Sequence, residues 1–405
     1  MRNHAAPRAF IDIISILYFI VYVLRDTQPH NLHGDYAMQI EEFTLERIQS
    51  LYENLVEYNL SDSGVHPYSL KELLTPDQLL GLHEVELGYG WTNGGVELRD
   101  TISRLYTGRD GDNVMVTNGS AEANFILVMT LLEPGDELVL FVPNYLQIRG
   151  WAKALGVTVK EIVLREELGW LPDLDEVRAA VTPKTKMISL CNPNNPTGSL
   201  LPRETMDALV AIAREHGVYL HADEIYKGSE LDVEESVSFA DLYEKAVVTA
   251  GLSKAMALPG LRLGWLVGPA KEIYGTWQRK DYTSITTGAL SEHIANIVLQ
   301  PAKRAEILSR SRHLLRENRA LLTAWIEAHN NLFSYLPPQA GGMAFVRYNR
   351  EINSSVLVDR VREQKSVMLV PGDVYGLDGY VRIGIGAQKH HLEAGLSRLA
   401  DFMRA

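Results

Sequence analysis

The chain has 405 residues, 46% of them hydrophobic, which is enough to bury a large core, and the length favours two or three domains over one. Its formal net charge of -12 argues against a nucleic-acid or anionic-membrane partner. The single cysteine, Cys191, excludes an internal disulfide and is compatible with a reducing compartment; no His and carboxylate pattern accompanies it, so a buried packing role is expected, and no metal site.

In chain order, the N-terminus is the odd part. Residues 10–24, FIDIISILYFIVYVL, are almost wholly apolar, with Arg2, His4 and Arg8 ahead of them and Arg25 behind. The run is shorter than the roughly 20 residues of a membrane-spanning helix, Asp12 interrupts it, and no small-residue cleavage site follows. The preferred reading is an extension over residues 1–37, with Met38 as an alternative start and a cytoplasmic protein; anchorage through residues 10–24 is the alternative.

From Asn113 onward, short β-rich runs alternate with helical ones, the signature of a sheet wrapped by helices. The runs are Asn113 to Thr117, Glu137 to Val142, Thr158 to Val163, Met187 to Cys191, Val218 to Ala222, Ala246 to Ala250 and Gly264 to Gly268. The segment from Pro202 to Gly217 is predicted to be a helix, with Met206, Leu209, Val210 and Ala213 on one face, Pro202 in its first turn and Gly217 at its end. A second helix, Ala123 to Leu132, follows Asn118-Gly119-Ser120-Ala121-Glu122. A long helix from about Ala302 to His329 opens the C-terminal third, and a terminal helix carries Leu392, Leu396, Leu399 and Met403. The fold class is α/β, with a mostly parallel seven-stranded sheet sandwiched by helices and a smaller α+β domain. Ligands in open α/β sheets sit at the carboxyl ends of the strands.

Three segments carry the chemistry. Lys254, in Gly251-Leu252-Ser253-Lys254, stands eight residues before Arg262, with small residues around both, an arrangement suited to a Schiff-base lysine beside an arginine that holds a phosphate. Asp223-Glu224-Ile225-Tyr226 ends a strand, and a carboxylate such as Asp223 can keep a pyridine nitrogen protonated. In Asn192-Pro193-Asn194-Asn195-Pro196-Thr197-Gly198, Asn195 can donate, with Tyr226, to a ring hydroxyl. The turn at Ser120 and Ala121 opens a helix, a natural phosphate cradle.

The order Asn, Asp, Tyr, Lys, Arg resembles that of the class I/II aminotransferase family, the fold-type I enzymes that use pyridoxal 5'-phosphate (PLP). The resemblance runs from about Glu41 to the C-terminus. It implies cofactor contacts from Ser120, Ala121, Asn195, Asp223, Tyr226, Ser253, Lys254 and Arg262, and an aromatic ring, Tyr145, stacked on the pyridine. Tyr89 matches a tyrosine that reaches the phosphate of a second copy, which implies a homodimer with shared sites. Arg382, in a strand and costly to bury without an anion, matches the grip on the substrate carboxylate, with Asn195 and Gly64 beside it. One departure stands out: the position three before the lysine, often a hydroxyl residue in the family, is Gly251. The implied division is an N-terminal segment 38–87, a large PLP-binding domain 88–290 and a small domain 291–405.

The implied activity is transamination between an L-amino acid and a 2-oxo acid, with Lys254, Asp223 and Tyr226 as catalytic residues. Segments 62–68, 280–282 and 371–376 are instead similar to capreomycidine synthase-like members, which cyclise a hydroxylated arginine, so a cyclase or eliminase is the alternative. A PLP-binding regulatory domain without turnover is a third reading, against which the missing basic DNA-binding module speaks. Trp91, His66 and Tyr282 are candidates to line the substrate pocket, with packing roles as the alternative.

Overall fold

A computed structural model describes residues 39–404; the apolar run 10–24 and Met38 lie outside the described residues. Helix α1 (Thr44–Tyr52) and the short strand β1 (Tyr58–Asn59) come first. Strands β2 (Val114–Thr117), β3 (Glu137–Val142), β4 (Thr158–Val163), β5 (Thr185–Cys191), β6 (Tyr219–Asp223), β7 (Ala246–Gly251) and β8 (Gly264–Val267) then form one sheet, in the order β2-β8-β7-β6-β5-β3-β4. β8 runs antiparallel to both of its neighbours, whereas the β7-β6-β5-β3-β4 pairs are parallel. All seven are runs that the alternation marks, with boundaries shifted by at most two residues.

Apart from the edge strand β4, the sheet is buried on both faces, and successive side chains point opposite ways into two apolar clusters. Val114, Val116, Val139, Phe141, Val248 and Trp265 join one apolar cluster, while the intervening Met115, Leu138, Leu140, Val247 and Leu266 join another. Each such Val, Leu or Phe contributes about 1.5–3 kcal/mol when fully buried. Helix α2 (Ser120–Leu131) starts three residues earlier than its apolar run. Helix α3 (Arg203–His216) buries Met206, Leu209, Val210 and Ala213 as expected. Pro202 sits at its N-cap rather than inside the first turn, and Gly217 closes it at φ 66°, a left-handed conformation that favours glycine.

Helix α4 (Pro301–Ala328) leads into a four-stranded antiparallel sheet, ordered β12-β13-β10-β9, and the terminal helix α5 (Lys389–Arg404) packs on the same apolar cluster. Its strands are β9 (Phe333–Tyr335), β10 (Met343–Tyr348), β12 (Val370–Pro371) and β13 (Tyr380–Gly384); β11 (Val367–Met368) pairs instead with β1, in parallel. That pairing brings the segment after β1 across to the C-terminal strands. Three glycines let it lie flat there: a Cβ on Gly342, Gly384 or Gly386 would collide with the carbonyl oxygens of Asp62 or Gly64.

Candidate active site

Parallel strands deliver their carboxyl ends to one rim, and five of them carry the marked residues there. Thr117 at the end of β2 leads to Gly119 and Ser120; Val142 at the end of β3 leads to Tyr145; Cys191 at the end of β5 leads to Asn195. Asp223 ends β6, and Gly251 ends β7 just ahead of Ser253 and Lys254. A cleft of about 310 Å³ opens at this rim. Ser120, Ala121, Tyr145, Asn195, Asp223, Tyr226, Ser253, Lys254, Arg262 and Arg382 all line it.

One end of the cleft suits a phosphate. Gly119, at φ 80°, is the N-cap of α2 and supplies no side-chain cap, so the first N–H groups of the helix are available to an anion. Arg262 closes the cradle from above. Its own backbone is in the left-handed region at φ 48°, a strained state for a non-glycine residue that tends to persist at functional sites. Its guanidinium lies so close to Gly119 that a Cβ there would stand 2.6 Å from Nη2. Nη1 donates to Pro259 O at 3.2 Å and to Ser253 Oγ at 3.4 Å. The glycine at 251 has a packing reason: a Cβ would sit 2.9 Å from Leu263 O and 3.0 Å from the Gly264 Cα. A hydroxyl side chain has no room at that place in the β7-β8 crossing.

The middle of the cleft suits a cationic ring. Asp223 is 9% exposed; its Oδ2 accepts from Asn124 Nδ2 at 3.2 Å and its Oδ1 from Ile225 N at 3.1 Å. Burial pushes its carboxyl above the usual carboxylate range, and none of its hydrogen bonds comes from a cation. A carboxylate so placed gains a counter-charge if a pyridinium N–H is put against it. Beneath it His221 is neutral, pushed down to about 3 by burial, between Ser189 Oγ (2.8 Å) and Thr249 Oγ1 (3.2 Å). Tyr226 hydrogen-bonds Ser63 Oγ at 2.8 Å, and burial pushes its phenol upward. Tyr145 donates from its hydroxyl to Glu46 Oε1 at 2.8 Å and meets Phe43 edge-on at 4.8 Å. Cys191 is buried, its thiol donating to Pro193 O at 3.1 Å.

The far end suits a carboxylate. Arg382 on β13 is 2% exposed. Nη1 donates to Asn195 Oδ1 at 2.9 Å and to Tyr375 Oη at 2.7 Å, and Nη2 donates to the Ser61 carbonyl. Nε is buried without a partner. A buried guanidinium whose hydrogen bonds all go to neutral groups, with its Nε–H unpaired, is a ready receptor for an anion.

Lys254 faces all three regions, and its Nζ donates to Asp62 Oδ1 at 3.1 Å. The Lys254 ammonium beside Asp62 holds that carboxyl down to about 2. The Asp62 side chain is 56% exposed, so solvent screens the pair and it adds little to stability. Asp62 also accepts from Gly64 N at 2.8 Å.

Asp62, Glu46, Gln49, Ser61, Ser63 and Tyr375 are site residues that the motifs do not reveal. Glu46 and Gln49 sit three apart on α1 and so share a face, but on the sequence they look like any amphipathic helix. Two marked residues lie elsewhere. Gly64 lines an adjoining cavity with His66, Gly384 and Gly386, because its backbone is packed against those strands. Tyr89 is 88% exposed and does not reach the cleft of its own chain. Trp91, His66 and Tyr282 do not line it either; Tyr282, 91% exposed, is not a packing residue.

Residues 54–399 match the family described as aminotransferase class I and II. Capreomycidine synthase from Streptomyces vinaceus is 30% identical over 350 residues, 85% of this chain and 89% of that protein. A PLP-dependent aminotransferase from Streptococcus suis superposes with a TM-score of 0.86 at 35% identity, over 91% of this chain and 98% of that one. The PLP-dependent cyclase OrfR superposes with a TM-score of 0.84 at 27% identity, over 92% and 99%.

Proposed function

This chain belongs to the aminotransferase class I and II family, and from that premise we propose that it moves an amino group between an L-amino acid and a 2-oxo acid. It is a fold-type I enzyme whose cofactor is PLP. The carrying observation is the convergence of Lys254, Asp223 and Arg382, from three distant stretches of chain, on one cleft. When bound, the cofactor supplies an aldehyde that links to amines and a protonated ring that draws electrons from the substrate.

The chain's own residues do the rest. The N-terminus of α2, with Ser120, Ala121, Ser253 and Arg262, holds the phosphate, and Asp223 keeps the ring nitrogen protonated. Asn195 and Tyr226 donate to the ring oxygen, and Tyr145 covers the ring. Arg382, with Asn195, would bind the α-carboxylate and so orient the substrate's Cα. Lys254 Nζ, freed by the incoming amine, takes the α-proton and can return it at a neighbouring atom. Tyr89 of a second copy completes the phosphate end, so the working unit is a homodimer. The large and small domains, divided near residue 290, form the two sides of the cleft. Among the described residues no helix is long and apolar enough to cross a membrane, and the acidic charge and lone buried thiol support a cytoplasmic protein.

A second reading has its own support. The similarity to capreomycidine synthase and to a PLP-dependent cyclase favours cyclisation or elimination, in which Lys254 Nζ takes the same α-proton and a leaving group departs further along the side chain. Single amino acids added to the PLP-loaded protein separate the two. A transaminase leaves the cofactor in its amine form and releases one 2-oxo acid per site; a cyclase or eliminase returns it as the aldehyde, with no 2-oxo acid made by exchange.

A further inference from the structure

We propose that Lys280, a fully buried lysine outside the cleft, is a positioning residue for the cofactor phosphate. Through Ser284, Thr283 and Glu122 it holds the Asn118-Gly119-Ser120 turn that receives that group. The inference rests on the reading of the cleft as a PLP site and adds a residue to its phosphate end.

The turn is tied at two points to the segment that follows the helix Ala270–Lys280. Asn118 N donates to Glu122 Oε2 at 2.6 Å, and Thr283 Oγ1 donates to Glu122 Oε1 at 2.6 Å, so one carboxylate joins the two. Asn118 Nδ2 makes the second tie, donating to the Thr286 carbonyl at 3.0 Å. Burial pushes the Glu122 carboxyl up, but hydrogen bonds from Ser284, Thr283 and the Asn118 N–H outweigh it and hold the group below its ordinary value. Glu122 is therefore ionised at neutral pH, in the first turn of α2.

Lys280 holds that segment from below. A lysine at the end of a helix ordinarily keeps its head in water, yet Lys280 is fully buried. Its Nζ donates to Ser284 Oγ at 3.1 Å and to the Ile285 carbonyl at 2.8 Å. Burial lowers its pKa, against the charges of Glu122, Glu292 and Asp281; an ammonium so placed is costly unless its surroundings offset the loss of water. Ile285 stands at φ 62°, a left-handed conformation rare for a β-branched residue, and such strain persists where the surroundings over-determine the backbone. Its carbonyl is the one that Lys280 grips.

Charge adds to geometry. Glu122 is in the first turn of a helix whose N-terminus receives an anion, and its own negative charge works against that anion. Lys280 offsets it from the protein side, without touching the ligand. A lysine that only filled space in the frame would serve both ends of the cofactor alike, whereas one that holds this turn serves the phosphate end alone.

Pyridoxal lacks the phosphate and is otherwise the same ligand, so the ratio of its dissociation constant to that of PLP isolates this end. Apoprotein is titrated with PLP and with pyridoxal, followed by absorbance, and with inorganic phosphate by calorimetry. Lys280→Met should lower the ratio roughly tenfold, with pyridoxal affinity within about twofold of wild type, and should weaken inorganic phosphate to match. Thr283→Val, which removes one hydroxyl from the same chain of bonds, should lower it about threefold. An unchanged ratio in folded Lys280→Met protein, or equal weakening of PLP and pyridoxal, would overturn the proposal. If Lys280→Met does not fold, an unchanged ratio in Thr283→Val overturns it instead. Wild-type protein that takes up no PLP would overturn the underlying cofactor reading, whereas PLP binding by the wild type beside an unchanged ratio in the variants would sink the role of Lys280 alone.

Discussion

The two walls of the cleft are built differently. At the sheet rim, Asp223, Asn195 and Tyr226, and beside it Arg382 on β13, are buried and locked by hydrogen bonds to their own surroundings. On the opposite wall, Glu46 and Gln49 project from α1, and Asp62 is largely exposed and tied to the site through Lys254 alone and its own loop. The rim is preorganised for one cofactor, which is where rate enhancement needs fixed groups. The helical wall can change its side chains without disturbing that frame.

Substitutions at the rim should cost far more than those on the wall. Lys254→Ala removes both the covalent anchor and the proton carrier, and turnover should fall by at least about 10⁴-fold in a single-turnover assay. Asp223→Ala leaves the ring nitrogen without its counter-charge; PLP affinity, measured by absorbance titration, should fall about 100-fold or more. Arg382→Lys keeps the charge but loses the fork that spans Asn195, Tyr375 and the ligand, so half-saturation by amino acids should rise roughly 10- to 100-fold with PLP affinity held. If the Arg382 variant lost PLP as readily as the Asp223 variant, the separation of the rim into cofactor and carboxylate ends would fail.

Two smaller effects concern the frame. Gly342→Ala pushes a methyl into the Ser63-Gly64 backbone and should lower stability by about 1–3 kcal/mol, seen as a lower Tm. His221, neutral in the fold down to about pH 3, takes up a proton in the unfolded chain below its ordinary value of about 6.5. Its contribution to stability is therefore complete above that value and is lost as pH falls, by about 1.4 kcal/mol per pH unit at most. Glu224, pushed up to about 7 by burial, works the other way, since the fold holds its proton more tightly and stability is lost as pH rises toward 7. The two slopes oppose each other where their windows overlap, so the wild-type protein alone does not isolate either. The stability gap between wild type and His221→Asn should narrow steadily below about pH 6.5; a gap independent of pH would contradict the buried neutral ring.

The same division governs how much could be read from the residues alone. The seven strands are legible because each alternates between two apolar clusters, and the rim residues because Asp223, Asn195 and Lys254 sit in short local patterns at strand ends. Glu46 and Asp62 carry no such mark: Asp62 meets Lys254 across 192 positions of chain, and a helical glutamate is ordinarily a solvated one. Gly251 shows the reverse case, in which a missing hydroxyl looks like a weakened phosphate site until the backbone crowding at Leu263 and Gly264 explains it. Tyr89 is exposed in a single chain, and only the resemblance, not a local contact, marks it.

The central claim is that Lys254 carries the cofactor while Asp223 holds its ring. Borohydride reduction of the PLP-loaded protein, followed by digestion and mass spectrometry, tests it most directly. The account predicts a single pyridoxyl adduct, on the peptide bearing Lys254, and its disappearance in Lys254→Ala; an adduct on another lysine, or none in protein that has bound PLP, would contradict it.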